Sequence, residues 1–187
     1  MGHHTFDAAK ADRLEGPERY RRVSAEELLG ALSLDGTETV IDVGSGTGFY
    51  TDDVAVAAGR VLAVDVQPAM HAFYSEKGIP DNVSPVTAVA DALPLTDGSV
   101  EAAFSTMTYH EFATAGALAE LARVLAPGGR LVAADWSGDG AGDAGPPVAE
   151  RYTPAEVRDQ LSEAGLTLER LEERPETFLF VATVPGV

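Results

Sequence analysis

The stretch that decides the fold is VIDVGSGTGFY, which occupies residues 40–50. Its first residues are mostly β-branched and stop at a cluster of glycines, which is typical of a buried strand. Gly44, Gly46 and Gly48 then allow tight turning and a close approach of the backbone to a ligand. A helix that begins beyond them offers free amide groups and the positive end of its dipole to an anionic group. The stretch therefore predicts a strand, a ligand-binding loop and a helix.

The spacing of the glycines argues against a dinucleotide-binding loop. The dinucleotide pattern G-x-G-x-x-G requires a sixth-position glycine, and here that position holds Phe49. Asp42 lies two residues before Gly44, where its charge would repel a pyrophosphate and attract a cationic amino group. We therefore disfavour a nicotinamide-dependent oxidoreductase, and a glycine turn without a ligand stays open as the structural alternative.

Two further acids follow the next predicted strands. Asp65 stands 21 residues after Gly44, close to the ~20-residue offset at which a carboxylate meets a ribose diol. Asp91 follows the third strand, where a carboxylate can accept a hydrogen bond from an exocyclic amine such as adenine N6. Because strand ends converge on the ligand crevice of an open α/β sheet, these acids indicate one site together with Asp42.

Outward from this stretch, strands alternate with helices, which predicts βαβ units and a parallel sheet. Ser24 and Thr153 each precede a glutamate by three residues and predict helix starts with a capping box. We expect one domain over residues 1–187, with a helical arm at 1–35, a core at 36–187 and a loop at 137–147. Besides the strand at 39–43, we predict strands at 60–65, 83–89, 99–105, 130–135, 167–172 and 177–184, and helices at 50–58, 68–76, 115–125 and from 154 to about 164.

The composition limits the classes of partner and chemistry. The chain has 30 acidic and 13 basic residues, a net charge of −17, which disfavours nucleic acid and anionic membranes as partners. It contains no cysteine, which excludes disulfides, thiolate nucleophiles and cysteine-bound metals. His3, His4 and His71 lack metal-ligand spacing, so we expect no metal site. Only two of the basic residues are lysines, and such an acidic, lysine-poor composition is typical of a halophilic protein, with an ordinary acidic cytosolic protein as the alternative.

The sequence carries no feature of an exported or membrane-bound protein. The first fifteen residues are charged and contain no apolar segment of the kind found in signal peptides. No apolar stretch approaches the ~18 residues of a membrane span. We therefore expect a cytoplasmic protein.

Several motifs together resemble one enzyme family. Besides residues 42–48, Asp65 and the pair Asp91-Ala92, they include RVLAPGGRL at residues 123–131. This set resembles the class I S-adenosylmethionine-dependent methyltransferases, and DRLEGPER at 12–19 and YHE at 109–111 are similar to the small group related to the ubiquinone and menaquinone biosynthesis methyltransferases. The resemblance implies a Rossmann-like α/β fold: a seven-stranded, mostly parallel sheet with helices on both faces and one antiparallel strand near the C-terminus.

The resemblance also implies S-adenosylmethionine as the cofactor and a role for each matched position. The glycine loop would cradle the methionine portion, with Asp42 near its amino group. Asp65 would hold the ribose hydroxyls and Asp91 the adenine amine. The implied cofactor-binding residues are Asp42, Gly44, Ser45, Gly46, Thr47, Gly48, Asp65, Val66 beside the adenine, Asp91, Ala92 through its backbone, and Ser105 and Thr106 on the floor near the sulfonium.

His110 is the candidate catalytic residue, because it follows the fourth strand and an imidazole titrates near neutrality. Glu111 is placed to orient it or to stabilise its charge, and the open alternative is that His110 packs on the following helix and contacts only the cofactor. Tyr20 and Tyr109 are candidate lid or substrate contacts, with surface packing as the alternative, and Trp136 is a candidate wall of the substrate pocket, with burial in the core as the alternative. Little chain remains to cover a large substrate, so we predict a methyltransferase that acts on a small molecule. A non-catalytic module that binds S-adenosylmethionine or S-adenosylhomocysteine is the alternative.

Overall fold

The computed structural model describes residues 6–186 and contains one seven-stranded sheet in that range. His3 and His4 lie outside the described residues. The strands are β1 (Thr39–Val43), β2 (Arg60–Asp65), β3 (Val83–Thr87), β4 (Val100–Thr106), β5 (Leu125–Trp136), β6 (Thr167–Glu173) and β7 (Thr177–Thr183). The helices are α1 (Ala25–Leu32), α2 (Phe49–Ala55), α3 (Pro68–Lys77), α4 (Tyr109–Phe112), α5 (Ala115–Val124) and α6 (Pro154–Glu163), with 3₁₀ helices at Ala8–Glu15, Pro17–Arg21 and Val148–Glu150.

The sheet has the order β3-β2-β1-β4-β5-β7-β6. Strands β1 to β5 pair in parallel, whereas β7 is antiparallel to both β5 and β6. The predicted single reversed strand near the C-terminus is therefore confirmed. The strand order reverses direction between β1 and β4, and the loops after these two strands diverge to leave a crevice at their carboxyl ends.

Apolar side chains cover both faces of the sheet, because successive residues of a strand point to opposite sides. On one face, Ile41 of β1 belongs to a buried cluster with Leu118 of α5. On the other face, Val40 belongs to a second cluster with Leu28 of α1 and Tyr50 of α2. Both faces of the central strands are therefore buried, as expected for a parallel sheet covered by helices.

Several predicted boundaries shift by a few residues. The strand predicted at 130–135 begins at Leu125, because β5 continues past a register shift opposite Val100 and Ala102. The helix predicted at 50–58 ends at Ala55, and the strand predicted at 83–89 ends at Thr87.

Within residues 6–186, no helix has the length and apolar character needed to span a membrane.

One predicted capping box forms completely and the other only in part. At α6, Thr153 and Glu156 bond each other's backbone as predicted. At α1, Ser24 accepts a hydrogen bond from the Glu27 amide, but the Glu27 carboxylate is directed to Arg174, 2.5 Å away. A charged guanidinium is a stronger partner for a carboxylate than a backbone amide, so the ion pair decides the orientation of Glu27.

Arg151 anchors the segment that follows β5. Its side chain is 1% exposed, and its guanidinium donates to the carbonyl oxygens of Ala144, Pro146 and Ser137. It also lies 3.2 Å from a carboxylate oxygen of Glu176, next to β7. The buried Arg151 guanidinium thus stabilises a loop that has no regular secondary structure and contains four glycines over residues 137–147.

We predict that Arg151→Ala lowers the free energy of unfolding by about 3 kcal/mol, since hydrogen bonds to a charged group contribute ~1.5–3 kcal/mol each. Arg158→Ala is the matched control, because Arg158 is 50% exposed and makes one surface ion pair with Glu173, a type worth ~0–1 kcal/mol. Urea unfolding followed by circular dichroism measures both. Equal effects of the two substitutions would contradict the anchoring role of Arg151.

Candidate functional site

A cavity of about 900 Å³ lies where the carboxyl ends of β1, β2 and β4 meet the N-terminal arm. Its lining includes sheet-edge residues such as Asp65 and arm residues such as Leu14 and Arg19. The arm is held down by Tyr50, whose hydroxyl donates to the carbonyl oxygens of Arg19 and Val23. The cavity lies at the place where the strand order reverses, which is the usual ligand site of an open α/β sheet.

The glycine loop adopts a backbone that other residues would strain. Gly44, Gly46 and Gly48 have φ angles of 76°, 53° and 78°. A Cβ atom on Gly44 would lie 2.4 Å from the Thr108 side chain, and one on Gly48 would lie 2.2 Å from the Tyr74 ring. The glycines are therefore required by the packing around the loop as well as by its left-handed turns.

Asp65 at the end of β2 holds the glycine loop in place. One carboxylate oxygen accepts a hydrogen bond from the Gly46 amide, and the other accepts one from the Gln67 amide, each at 2.8 Å. A carboxylate can accept about four hydrogen bonds in total. Asp65 lines the cavity, so its remaining lone pairs are available to ligand hydroxyl groups.

Asp42 is a buried carboxylate with an unused acceptor. It is 2% exposed, and its Oδ2 accepts a hydrogen bond from the Thr51 hydroxyl at 2.6 Å. Its Oδ1 has no hydrogen-bond partner within the described residues. Burial raises the pKa of Asp42 to about 7; the Thr51 hydrogen bond opposes this rise and the charge of Asp65 adds to it. An unsatisfied buried acceptor is costly, and a cationic donor in the adjoining cavity would stabilise it.

Arg19 brings the opposite charge to the same cavity. Its guanidinium carbon lies 5.3 Å from the ring centroids of both Phe49 and Tyr50. Its Nε is buried and has no hydrogen-bond partner within residues 6–186. Burial lowers the pKa of Arg19, although the nearby charges of Tyr50 and Asp42 favour its charged form. An unpaired carboxylate oxygen and an unpaired guanidinium nitrogen together match the ammonium and carboxylate of an α-amino acid.

The segments that follow β2 and β3 contribute an apolar part of the lining. Val66 and Val89 are 45% and 47% exposed, which is unusual for valine, and both line the cavity together with Asp91. Flat apolar surface next to a carboxylate suits an adenine ring with its exocyclic amine. The Ala92 amide donates to the Val89 carbonyl oxygen at 3.2 Å.

The structure brings most of the predicted cofactor-binding residues to this cavity. Thr106 lies on its floor, whereas Ser105 is fully buried in β4 and its hydroxyl has no hydrogen-bond partner within the described residues. Gly48, Ala92 and Ser105 do not belong to the lining. The predicted residues that line it are Asp42, Gly44, Ser45, Gly46, Thr47, Asp65, Val66, Asp91, Thr106 and His110.

His110 forms a pair with Asp135, a residue of β5 that is fully buried. The Nδ1 atom of His110 lies 2.9 and 3.0 Å from the two carboxylate oxygens of Asp135, and the His110 amide donates to the same carboxylate at 2.6 Å. These contacts fix the ring orientation and place the proton of the neutral imidazole on Nδ1. Nε2 is then left as the basic nitrogen.

The charge state of His110 depends on its acidic neighbours. Burial alone would lower the pKa of His110, but the hydrogen bond and charge of Asp135 outweigh it and raise this pKa above its usual value. The charges of Glu111 and Glu150 act in the same direction. Burial raises the pKa of Glu111 to about 7, against the opposing effect of His110. The site therefore contains two ionisable groups, His110 and Glu111, whose pKa values are both raised.

Sequence reasoning missed the roles of Asp135, Arg19 and Arg22. Asp135 ends β5 beside β4, so the strand-end rule that selected Asp65 could also have found it. Arg19 and Arg22 lie in the irregular N-terminal arm, where no periodic pattern predicts the direction of a side chain. Glu111 was expected to orient His110, and the shorter contact is instead to Asp135, since Glu111 Oε1 lies 3.9 Å from Nε2.

Within residues 6–186, no cluster of three or more candidate metal ligands occurs.

The chain is similar to known methyltransferases in sequence. The methyltransferase-domain family matches residues 41–133. The chain is 36% identical over 124 residues to the biotin biosynthesis bifunctional protein of Cellvibrio japonicus, which covers 66% of this chain and 24% of that protein. It is 36% identical over 136 residues to the malonyl-[acyl-carrier protein] O-methyltransferase of Hahella chejuensis, covering 68% of this chain and 47% of that protein. The chain thus spans less than half the length of these curated relatives.

Solved structures show a similarity over nearly the whole chain. A SAM-dependent methyltransferase from Aquifex aeolicus superposes with a TM-score of 0.87 and 33% identity, and the match covers 96% of this chain and all of that one. A geranyl diphosphate methyltransferase in complex with SAM shares the fold, with a TM-score of 0.77 and 19% identity over 97% of this chain and 92% of that one. The chain therefore belongs to the family of S-adenosylmethionine-dependent methyltransferases, and S-adenosylmethionine is its cofactor.

Proposed function

We propose that the protein transfers the methyl group of S-adenosylmethionine to a small-molecule acceptor. The observation that carries this proposal is that the His110–Asp135 pair faces the same enclosed cavity as the unpaired groups of Asp42 and Arg19. At about 900 Å³, the cavity is near the upper end of the ~300–1,000 Å³ typical of small-molecule sites. It thus has room for a cofactor and a second, small ligand.

The residues present fit the cofactor at its charged end and at its ring end. Asp42 and Arg19 would hold the ammonium and carboxylate groups, and Asp65 the ribose hydroxyls. Asp91 would bind the adenine amine, with Val66 beside the ring. The further cofactor contacts that we propose are the loop residues Gly44, Ser45, Gly46, Thr47 and Gly48, the backbone of Ala92, and the strand-end residues Ser105 and Thr106.

The cofactor would supply an electrophilic methyl group bound to a positively charged sulfur, and loss of this methyl group leaves the neutral thioether S-adenosylhomocysteine. The chain's own residues orient the acceptor, exclude water and handle the acceptor's proton. Neutral His110 accepts that proton at Nε2, and Asp135 stabilises the imidazolium that results. His110 is therefore the proposed general base, and Asp135 is its positioning residue.

The N-terminal arm acts as the cover of the site. Glu15 accepts a hydrogen bond from the Thr47 hydroxyl of the glycine loop and forms an ion pair with Lys77 of α3 at 3.2 Å. Tyr20 lies on the same cover and donates to Asp53 at 2.8 Å. These contacts tie the arm to both sides of the cavity, where it would help to exclude water during transfer.

The acceptor is proposed to be small because the arm and the loop after β5 both line the cavity and limit its volume to about 900 Å³. The net charge of −17 argues against nucleic acid as the acceptor. The alternative, a module that binds the cofactor without catalysis, would have no use for a buried acid that fixes one tautomer of a cavity histidine. We also propose that the protein works in concentrated salt, as its acidic, lysine-poor composition indicates.

The first experiment tests transfer itself. Purified protein is incubated with a metabolite extract and S-adenosylmethionine carrying a labelled methyl group, at low and at high salt. We expect label in a small-molecule fraction, with higher yield at high salt, and at least a tenfold lower yield from His110→Ala, since general base catalysis contributes ~10²–10⁴-fold. Binding of S-adenosylhomocysteine without any transfer would support the non-catalytic module instead.

The ribose contact is tested by calorimetric titration with S-adenosylhomocysteine. We expect Asp65→Ala to weaken binding by ~1–3 kcal/mol, the cost of losing a buried charge-assisted hydrogen bond. Asp159→Ala removes an exposed carboxylate of α6 and is expected to leave the affinity unchanged. An unaltered affinity in Asp65→Ala, or preferential binding of NAD, would contradict the assignment.

The general-base role predicts a specific pH dependence of kcat. Because His110 accepts a proton only when neutral, kcat should rise with pH through the raised pKa of this residue. Asp135→Asn removes the charge that stabilises the imidazolium, so the midpoint should move to lower pH by ~1 unit or more, together with a lower plateau.

Glu111 and Glu150 also face His110, so the assignment of the midpoint needs a control. In Glu111→Gln the rise of kcat with pH should persist, because only the neighbouring carboxyl has been removed. If the rise disappears in this variant, or if Asp135→Asn leaves the midpoint in place, the titrating group is not His110.

A further inference from the structure

The arm places positive charge over a cavity in an otherwise acidic molecule. Four of the 13 basic residues line this one cavity, namely Arg13, Arg19, Arg21 and Arg22. No carboxylate of residues 6–186 lies within ion-pair distance of any of the four. The net charge of −17 repels anions over most of the surface. The arm side of the cavity, with these four arginines and one carboxylate, Glu18, is therefore a local exception, at which an anionic group would be stabilised.

The main chain of Arg22 is fixed on both sides. Its amide donates to the Arg19 carbonyl oxygen at 2.9 Å, and its own carbonyl oxygen accepts from Arg174 at 3.0 Å. Arg174 is itself ion-paired with Glu27 at 2.5 Å and with Glu172 at 2.8 Å. The start of α1 and the edge of the sheet thus position Arg22 before any ligand arrives.

The guanidinium of Arg22 is stacked but otherwise unpaired. It lies 4.6 Å from the centroid of the Trp136 ring, and it donates no hydrogen bond to any described residue. Stacking on the ring covers the flat face of the guanidinium and leaves the N–H groups at its edge available. Those groups form the fork that binds a carboxylate or phosphate through two parallel hydrogen bonds.

Arg151 contacts the same ring, and unlike Arg22 it has a structural role. Its guanidinium lies 5.3 Å from the Trp136 ring, and backbone carbonyl oxygens and Glu176 occupy its donors. Two arginines therefore flank one tryptophan, and only Arg22 has its donors unoccupied among the described residues. Because Arg22 donates no hydrogen bond to the loop after β5, support of this loop does not explain the position of the Arg22 guanidinium.

Arg22 and His110 are held by two consecutive residues of β5. The Trp136 amide donates to Asp135 at 2.7 Å, so the ring that holds Arg22 directly follows the acid that holds His110. Glu150 lines the cavity on the His110 side and would repel an anion there. An anionic group is thus favoured at Arg22, and an uncharged, proton-bearing group is favoured at His110.

We propose that the methyl acceptor carries an oxyanion, a carboxylate or a phosphate, that Arg22 binds while a separate atom near His110 receives the methyl group. This proposal rests on the proposed function, since it names the acceptor class for the same cavity. Arg22 is a specificity-determining residue, and Trp136 is the residue that positions it.

The test uses the full chain saturated with S-adenosylhomocysteine, at constant ionic strength. Benzoate and phenyl phosphate serve as carboxylate and phosphate probes, with benzamide as the uncharged counterpart of benzoate, and binding is followed by calorimetry. At least one anion should bind tenfold or more tightly than benzamide, and comparison of the two anions assigns the oxyanion. Arg22→Gln should weaken that anion at least tenfold, and Arg22→Lys should weaken it less, because lysine retains the charge without the fork.

Arg158→Gln removes the same charge from an exposed site on α6 and should leave anion binding unchanged. All variants should retain the affinity for S-adenosylhomocysteine, which shows that the cofactor site is folded. The proposal is overturned if benzamide binds as well as the anions, if Arg22→Gln binds them like the parent protein, or if neither anion saturates below roughly 10 mM.

A second readout separates this proposal from the proposed function. The metabolite extract is passed over an anion-exchange column before the labelled transfer assay. Acceptor activity should be retained on the column and eluted with salt, and Arg22→Gln should raise the acceptor KM more than it lowers kcat. Transfer only to an unretained compound would overturn the anionic acceptor and leave the methyltransferase function intact, whereas absence of transfer from every fraction would count against the proposed function itself.

Discussion

The hydrogen bond between the Gly46 amide and the Asp65 carboxylate is the contact on which the site depends. It ties the loop after β1 to the end of β2, and so it holds two neighbouring strand ends at a fixed distance. The left-handed glycines make this approach sterically possible, and the packing of Thr108 and Tyr74 against Gly44 and Gly48 leaves no room for larger residues. The same carboxylate then faces the cavity, so the residue that shapes the loop is also placed to bind a ligand.

The site is built from two surfaces of opposite charge. The sheet edge supplies acids, among them Asp42 with its buried and unpaired oxygen. The N-terminal arm supplies arginines that aromatic rings hold in place, Arg19 by Phe49 and Tyr50. Because neither set neutralises the other within the described residues, ligands that carry both charges, or one charge at a defined end, are stabilised between them. The low dielectric of the protein around the cavity strengthens these interactions.

The sequence predicted the sheet well because local rules and the fold agree there. The β-branched run before Gly44 and the capping residues Thr153 and Glu156 determine their elements through backbone chemistry alone. The errors lie where a distant contact competes with a local one. Glu27 leaves its capping position for Arg174, which is 147 residues away in sequence. The start of β5 at Leu125 likewise depends on pairing with β4, which no local pattern encodes.

The motifs of the sequence indicated the family and the cofactor by resemblance. The alternation of strands and helices by itself predicted that Asp42, Asp65 and Asp91 meet at one edge of the sheet, because parallel strands bring their carboxyl ends to one edge whatever the details of packing. Only the tertiary structure decided what surrounds the acceptor. Asp135 meets His110 across 25 residues, and Arg22 meets Trp136 across more than one hundred. Such contacts follow from how the arm closes over the sheet edge, and this closure depends on long-range packing rather than on any periodicity along the chain.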